Sequence, residues 1–129
     1  MYQSVLLAAD GSENSFRAAV ELMHFIGEKT KVTVLNVTEI EHSKDEVLHG
    51  LKPANLDSIT TLFDESNVDY NVVIERGIPE ETVIKYANSR DYDIITLGSR
   101  GLNSLQEIMM GSLSRKVVKK SEIPVLIVK

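Results

Sequence analysis

The 129-residue chain contains no cysteine, so neither a disulfide nor a thiolate-ligated metal centre is open to it. No apolar run approaches the roughly 20 residues that a membrane-spanning helix needs. The first residues lack the charged-then-apolar pattern of a secretory leader. Positive charge is also scarce, with 14 Lys and Arg against 19 Asp and Glu and a formal net charge of −5. Arg115, Lys116, Lys119 and Lys120 form the one basic cluster, too short to suggest nucleic acid. Cations there suit the C-terminal end of a solvated helix. Internal repeats and low-complexity segments are absent. A cytoplasmic protein is the simplest expectation, with no nucleic-acid and no membrane partner.

What is present is an ordinary globular composition, 43% apolar and 26% charged. The length fits one domain, residues 1–129. Residues 4–9 are apolar toward both faces, as a buried parallel strand requires. Asp10-Gly11-Ser12 breaks that strand, and Ser12 suits a helix N-cap with Glu13 in the first turn. Ala19, Leu22, Met23 and Ile26 follow at helical spacing, and Gly27 is the expected stop. Residues 32–37 are β-branched and read as a second strand. Residues 38–52 are polar and open between a loop and a short helix. Pro53 suits a helix start, with Leu56, Ile59, Leu62 and Phe63 as its buried stripe. Residues 70–75 form a third strand. Residues 76–81 turn into a third helix whose core face is Val83, Tyr86 and Ala87. Residues 93–97 and 123–128 complete five strands, with a helix carrying Leu113, Val117 and Val118 between them.

This β-α alternation predicts an α/β fold, a single three-layer domain of Rossmann-like type. A five-stranded parallel sheet would carry helices on both faces, joined by right-handed crossovers. The order 3-2-1-4-5 places the first and fourth strands side by side where the strand order reverses. Ligands bind at such a reversal, beyond the C-terminal ends of the strands.

The most informative stretch runs from Gly98 to Ser114. A strand ends at Gly98, Gly101 follows, and Gly111-Ser112 opens a helix. Glycines let a ligand approach the backbone, and the free N–H groups of a helix start favour an anion. The hydroxyls of Ser112 and Ser114 would add donors. This is the chemistry of a phosphate cradle. The competing interpretation is a set of turn glycines followed by a serine cap. With the expected strand order, Asp10 faces Gly98 across the crevice and Val37 lies on the adjacent rim.

These residues resemble the universal stress protein family along nearly the whole chain. The likeness lies in Val5-Leu6-Leu7 leading to Asp10-Gly11-Ser12, in Val34-Leu35-Asn36-Val37 and in Gly77-Ile78-Pro79. It continues in the run from Asp93 to Gly101, in Gly111-Ser112 and in the ending from Ile123 to Val128. Gly98, Gly101, Gly111 and Ser112 satisfy the spacing Gly-x2-Gly-x9-Gly-Ser/Thr of the family's ATP-binding subgroup. The resemblance implies an adenine nucleotide alpha hydrolase-like fold that binds ATP. Gly98, Gly101, Gly111 and Ser112 would line the phosphates and ribose, with Leu113 and Ser114 close by and Leu97 flanking the sugar. Val37 and the backbone around Asp10 would meet the adenine. Ala8-Ala9 stands where the family often has Pro-Thr, a departure on the base side. The resemblance also implies a homodimer paired through Val125, Leu126, Ile127 and Val128. A partner protein beyond that is left open.

A triphosphate beside ionised Asp10 calls for a cation, Mg²⁺ or Mn²⁺, held mainly by phosphate oxygens and water. Arg100 lies inside the loop, where it could touch a phosphate or simply face solvent. Asp10 could instead serve only its own turn. A phospho-acceptor role for Asp10 would need an acidic pair and a lysine that Ala8-Ala9 and Lys129 do not supply. His24, His42 and His49 have no partner at metal or triad spacing, and Met109 and Met110 look like packing residues. Neither a general base nor a P-loop lysine accompanies the glycines, so hydrolysis should be slow or incidental. The expectation is a regulatory protein whose occupancy by ATP is the signal. The alternatives are a slow ATPase, a relative of adenylating enzymes, or a nucleotide-free protein acting through protein contacts. The adenylating class usually carries a Ser-Gly-Gly-rich loop after strand one, where Asp10-Gly11-Ser12 stands instead.

Overall fold

The computed structural model describes residues 2–38, 55–100 and 110–129. Pro53, Gly101, Met109, His42, His49 and nearly all of the ambiguous segment 38–52 therefore lie outside the described residues. The strands are β1 (Ser4–Ala8), β2 (Lys31–Thr38), β3 (Asp69–Arg76), β4 (Ile94–Gly98) and β5 (Val125–Val128). The described helices are α1 (Glu13–Leu22), α2 (Asp57–Glu65), α3 (Pro79–Ala87) and α4 (Ser112–Lys120). The sheet is wholly parallel, as the alternation predicts, and its order β3-β2-β1-β4-β5 is the one expected from setting the first and fourth strands side by side at the reversal.

The central strand explains the three layers. Val5, Leu6 and Leu7 are all fully buried, so both faces of β1 need a cover. On one face Val5, Leu7 and Ala9 pack with Ala18, Ala19 and Leu22 of α1 and with Ile59 and Phe63 of α2. On the other, Leu6 and Ala8 pack with Val83 and Ala87 of α3 and Val117 of α4. Each large side chain fully buried this way contributes about 1.5–3 kcal/mol.

The ends of elements differ from the periodicity. The expected stop of α1 at Gly27 moves back to Leu22, because Met23, His24 and Phe25 donate to carbonyls three residues earlier. That tightened turn brings the Phe25 ring edge-on to Tyr2, with centroids 5.9 Å apart. Met23 and Ile26 lie past the helix yet still pack on the core. Ser15 and Ala18 take buried helix positions instead. Strand β5 starts at Val125 rather than residue 123, although the Pro124 carbonyl already accepts from Ile95 N–H at 3.0 Å. Val118 does not share the core face of α4, being 51% exposed.

Asp93, at the expected start of the fourth strand, has another task. Its carboxylate accepts the N–H groups of Gln3 and Ser4, both at 2.9 Å. It thereby aligns β1 against β4 at the edge of the sheet opposite the crevice.

Candidate functional site at the β1–β4 crevice

The site is set by where β1 and β4 end. Ala8 pairs with Leu97 in register, and beyond them the two chains leave on opposite faces toward α1 and α4. The side chains of Ala8 and Leu97 are buried among α3 and α4, so these two residues form the floor of the crevice through their backbone. Ala9 N–H makes the last rung to β2, donating to the Leu35 carbonyl at 2.9 Å. Asp10 Oδ1 then accepts Ser12 N–H at 2.9 Å, and Gly11 takes φ 83°. This tight turn needs glycine at its centre and aims Ser12 to cap α1 by accepting Ser15 N–H at 3.2 Å. The turn reading of Asp10 is thus present, whatever else the residue does.

Gly98 is required by packing. A Cβ there would lie 2.7 Å from Asn14 Cβ and 2.9 Å from the Asn14 carbonyl, so the first turn of α1 presses directly on β4. Gly111 is different. It is the N-cap of α4 with φ −76° and ψ 170°, a conformation open to any residue. Among the described residues, the atoms nearest to a Cβ at Gly111 are Ser99 O at 3.6 Å and Arg100 Cα at 3.8 Å, which are ordinary contacts. Arg100 therefore lies against the start of α4.

Helix α4 also lacks the acids that begin the other described helices. Glu13 opens α1, Asp57 opens α2, and Glu80 and Glu81 open α3, but the first turn of α4 carries none. Glycine supplies no capping side chain to it either. The N–H groups of Ser112, Leu113 and Ser114 have no acceptor within the helix, and among the described residues no acid in that first turn offsets the dipole. Ser112 is exposed, while Leu113 is half-buried against the core.

Ser114 is expected to add a hydroxyl donor, and the structure turns that donor inward. The residue is 2% exposed. Its hydroxyl donates to the Ser99 carbonyl at 2.9 Å, with the Gly111 carbonyl at 3.1 Å as the second acceptor. Both acceptors are backbone groups at the junction of β4 and α4, so the bond fixes the helix rather than reaching out of it.

Val37 lies two positions beyond Leu35, the partner of Ala8, and is half-buried on the α3 side. Its neighbour Asn36 was not singled out by spacing or residue type. Asn36 is 3% exposed, and its Nδ2 donates to the Ala9 carbonyl at 2.8 Å, while its Oδ1 is buried without a partner among the described residues. A polar residue at a position where β2 otherwise alternates Val32 and Val34 is the signal that marks it. The crevice thus gathers Ala8, Ala9, Asp10, Val37, Leu97, Gly98, Arg100 and Gly111 to Ser114 at one end of the sheet, and Gly101 lies outside the described residues. No group of three or more His, Asp or Glu side chains able to hold a metal occurs among the described residues. None of the described helices is long and apolar enough to cross a membrane.

The family signature described as Universal stress protein family matches residues 1–129. The chain belongs to the universal stress protein family. Among relatives, the Bacillus subtilis universal stress protein YxiE is 30% identical over the whole of both chains. The universal stress protein MJ0577 of Methanocaldococcus jannaschii is 30% identical, with all of this chain and 96% of the relative covered. The solved structure of MJ0577 superposes with a TM-score of 0.83 over the same span. A universal stress protein family member from Arabidopsis thaliana, solved with AMP bound, has the same fold at 22% identity and a TM-score of 0.71. That comparison covers 98% of this chain and 90% of the Arabidopsis protein. As a universal stress protein, the chain shares the three-layer fold of its relatives, with the parallel sheet in the order 3-2-1-4-5.

Proposed function

We propose that this universal stress protein binds ATP in the crevice between β1 and β4 and acts by its occupancy. The observation that carries the reading is the start of α4. Serine would suit the backbone of Gly111 and would cap the helix, yet glycine stands there although a Cβ would meet only ordinary contacts among the described residues. Its absence of a side chain serves close approach from outside, and three backbone donors stand behind it in a first turn that carries no acid of its own. A polyphosphate is the ligand whose charge and reach match those donors. The AMP in the Arabidopsis family member supports an adenine nucleotide as the class.

In this reading Gly98, Arg100, Gly101, Gly111, Ser112 and Leu113 surround the phosphates and ribose, with Leu97 beneath the sugar. Val37 and the backbone from Ala8 to Asp10 meet the base. Three or four charge-assisted bonds of about 1.5–3 kcal/mol each supply much of the roughly 8 kcal/mol that micromolar binding needs. Mg²⁺ or Mn²⁺ would be held by the nucleotide and water beside Asp10, since the described side chains offer no cage of their own. In this reading binding rather than turnover is the function, in keeping with glycines that no P-loop lysine accompanies.

Titration calorimetry with ATP and Mg²⁺ tests the reading. A dissociation constant in the micromolar range is expected, together with a turnover far below the roughly 1 s⁻¹ of a dedicated enzyme. Absence of heat and of any melting shift at millimolar ATP overturns it.

A further inference from the structure

Ser99 is the residue on which the crevice closes, and among the described residues four hydrogen bonds reach it from three separate elements. Its N–H donates to the Val128 carbonyl of β5 at 2.7 Å. Its carbonyl accepts Gly111 N–H at 2.7 Å and the Ser114 hydroxyl at 2.9 Å. Its own Oγ accepts from Asn14 Nδ2 of α1 at 3.3 Å. The residue is 2% exposed, so these bonds form away from bulk water. Two strand-to-helix junctions far apart in sequence are thus clasped at one point, and neither Asn14 nor Ser99 is prominent in the spacing of the glycines.

The geometry points to Asn14 and Ser114 as positioning residues for the anion-facing amides of α4, acting through Ser99 without touching the ligand. The physical reason is direction. A backbone N–H stabilises an anion only when aimed at it, and the bond weakens steeply as the angle opens. The first turn of α4 has no capping side chain to hold it. Its orientation is set by the two bonds onto the Ser99 carbonyl. Asn14 bonds the Ser99 side chain, and its own Cβ and backbone rest on Gly98. Together they hold Ser99 from the α1 side while β5 holds it from the other. Preorganisation of this kind lowers the ordering cost of binding without adding a contact.

This inference rests on the nucleotide reading, and the experiment separates the two. ATP and adenosine are titrated into the parent protein, Ser114→Ala and Asn14→Ala. Adenosine has no phosphate, so it does not meet the α4 amides. Both variants are expected to weaken ATP by about five- to tenfold, in keeping with the loss of one hydrogen bond. Adenosine affinity should stay within about twofold, the scatter expected of a change that spares its contacts. Asn14 lies half-buried at the helix surface, so Asn14→Ala still reports should the buried Ser114→Ala fail to fold. Equal ATP affinity in parent and variants overturns the positioning role, and so does an equal loss for ATP and adenosine, which would mean general loosening. A parent that binds neither ligand removes the nucleotide reading and this role with it. A parent that binds ATP alongside unaffected variants removes only this role.

Discussion

Gly98 lies directly under Asn14, with 2.7 Å between the place a Cβ would occupy and the Asn14 Cβ. The next atoms, Asn14 C and O at 2.9 Å, are backbone and cannot swing aside. Gly98→Ala therefore has to lift α1 off β4. A loss of about 1–3 kcal/mol is expected, the usual cost of overpacking. Urea denaturation measures it, and an unchanged midpoint would contradict the packing role of this glycine.

Gly111 makes the opposite prediction. Gly111→Ser adds a side chain in ordinary contact and gives α4 the cap it lacks. Melting temperature should hold or rise, while ATP affinity falls by about tenfold or more as the new hydroxyl engages the same amides, a trade of function for stability. Thermal melts paired with calorimetry read both halves.

Asn36 predicts a pH effect. Its Nδ2 serves the buried Ala9 carbonyl, and its Oδ1 has no partner among the described residues. Asn36→Asp puts a carboxyl in that place, where burial favours the protonated form and lifts its pKa above the roughly 3.9 of an exposed aspartate. The variant should be near parent stability below about pH 4, where the acid is neutral in both states. It should lose stability as pH rises through the raised value. Denaturation midpoints at pH 4 and pH 8 check this.

Tyr86 donates to Glu75 Oε1 at 2.7 Å, and this bond, ahead of burial and the charge of Glu75, raises its pKa from 10.0 to about 12. Because the folded value is the higher, the stabilisation is complete below pH 10 and is lost between pH 10 and 12. Tyrosine absorbance should show Tyr86 titrating late, and Glu75→Gln should bring it back toward the ordinary range. Titration of Tyr86 near pH 10 in the parent protein would refute the contact.

The edge strand β5 carries the prediction about self-association. The carbonyls of Pro124 and Val128 turn to β4, so Val125 and Ile127, alternating with them, turn outward. We expect two copies to pair there, leaving no long open edge. Sedimentation at micromolar concentration should show a dimer. Ile127→Pro removes an outward N–H and should give a folded monomer. A parent monomer would end this proposal.

Much of the architecture was legible because β1 and β4 are apolar on both faces and the helices keep one buried stripe. The strand order is not written in any one stretch; 3-2-1-4-5 is the order that sets the glycine loop beside the end of β1 at a reversal, and the sheet has it. The division of labour among the glycines was not legible, because Gly98 and Gly111 are alike as letters. Only the neighbours in space, Asn14 pressed against one and merely ordinary described contacts at the other, separate them. The clasp on Ser99 was hidden for the same reason, since Asn14 and Ser99 are 85 positions apart. The early end of α1 depends on where Phe25 finds Tyr2, a tertiary contact that periodicity does not encode.

The placement of β1 bears on how the chain is made. Val5 pairs with Val32 on one flank and with Ile94 on the other. On the ribosome the first neighbour emerges early, but the second follows the opening strand by 89 residues. Until translation has passed β4, the middle of the sheet is missing one side, and no crevice exists for a ligand to enter. Assembly of the crevice thus waits for β4, and until then the nascent chain carries an uncovered apolar flank along β1, the kind of surface that invites aggregation.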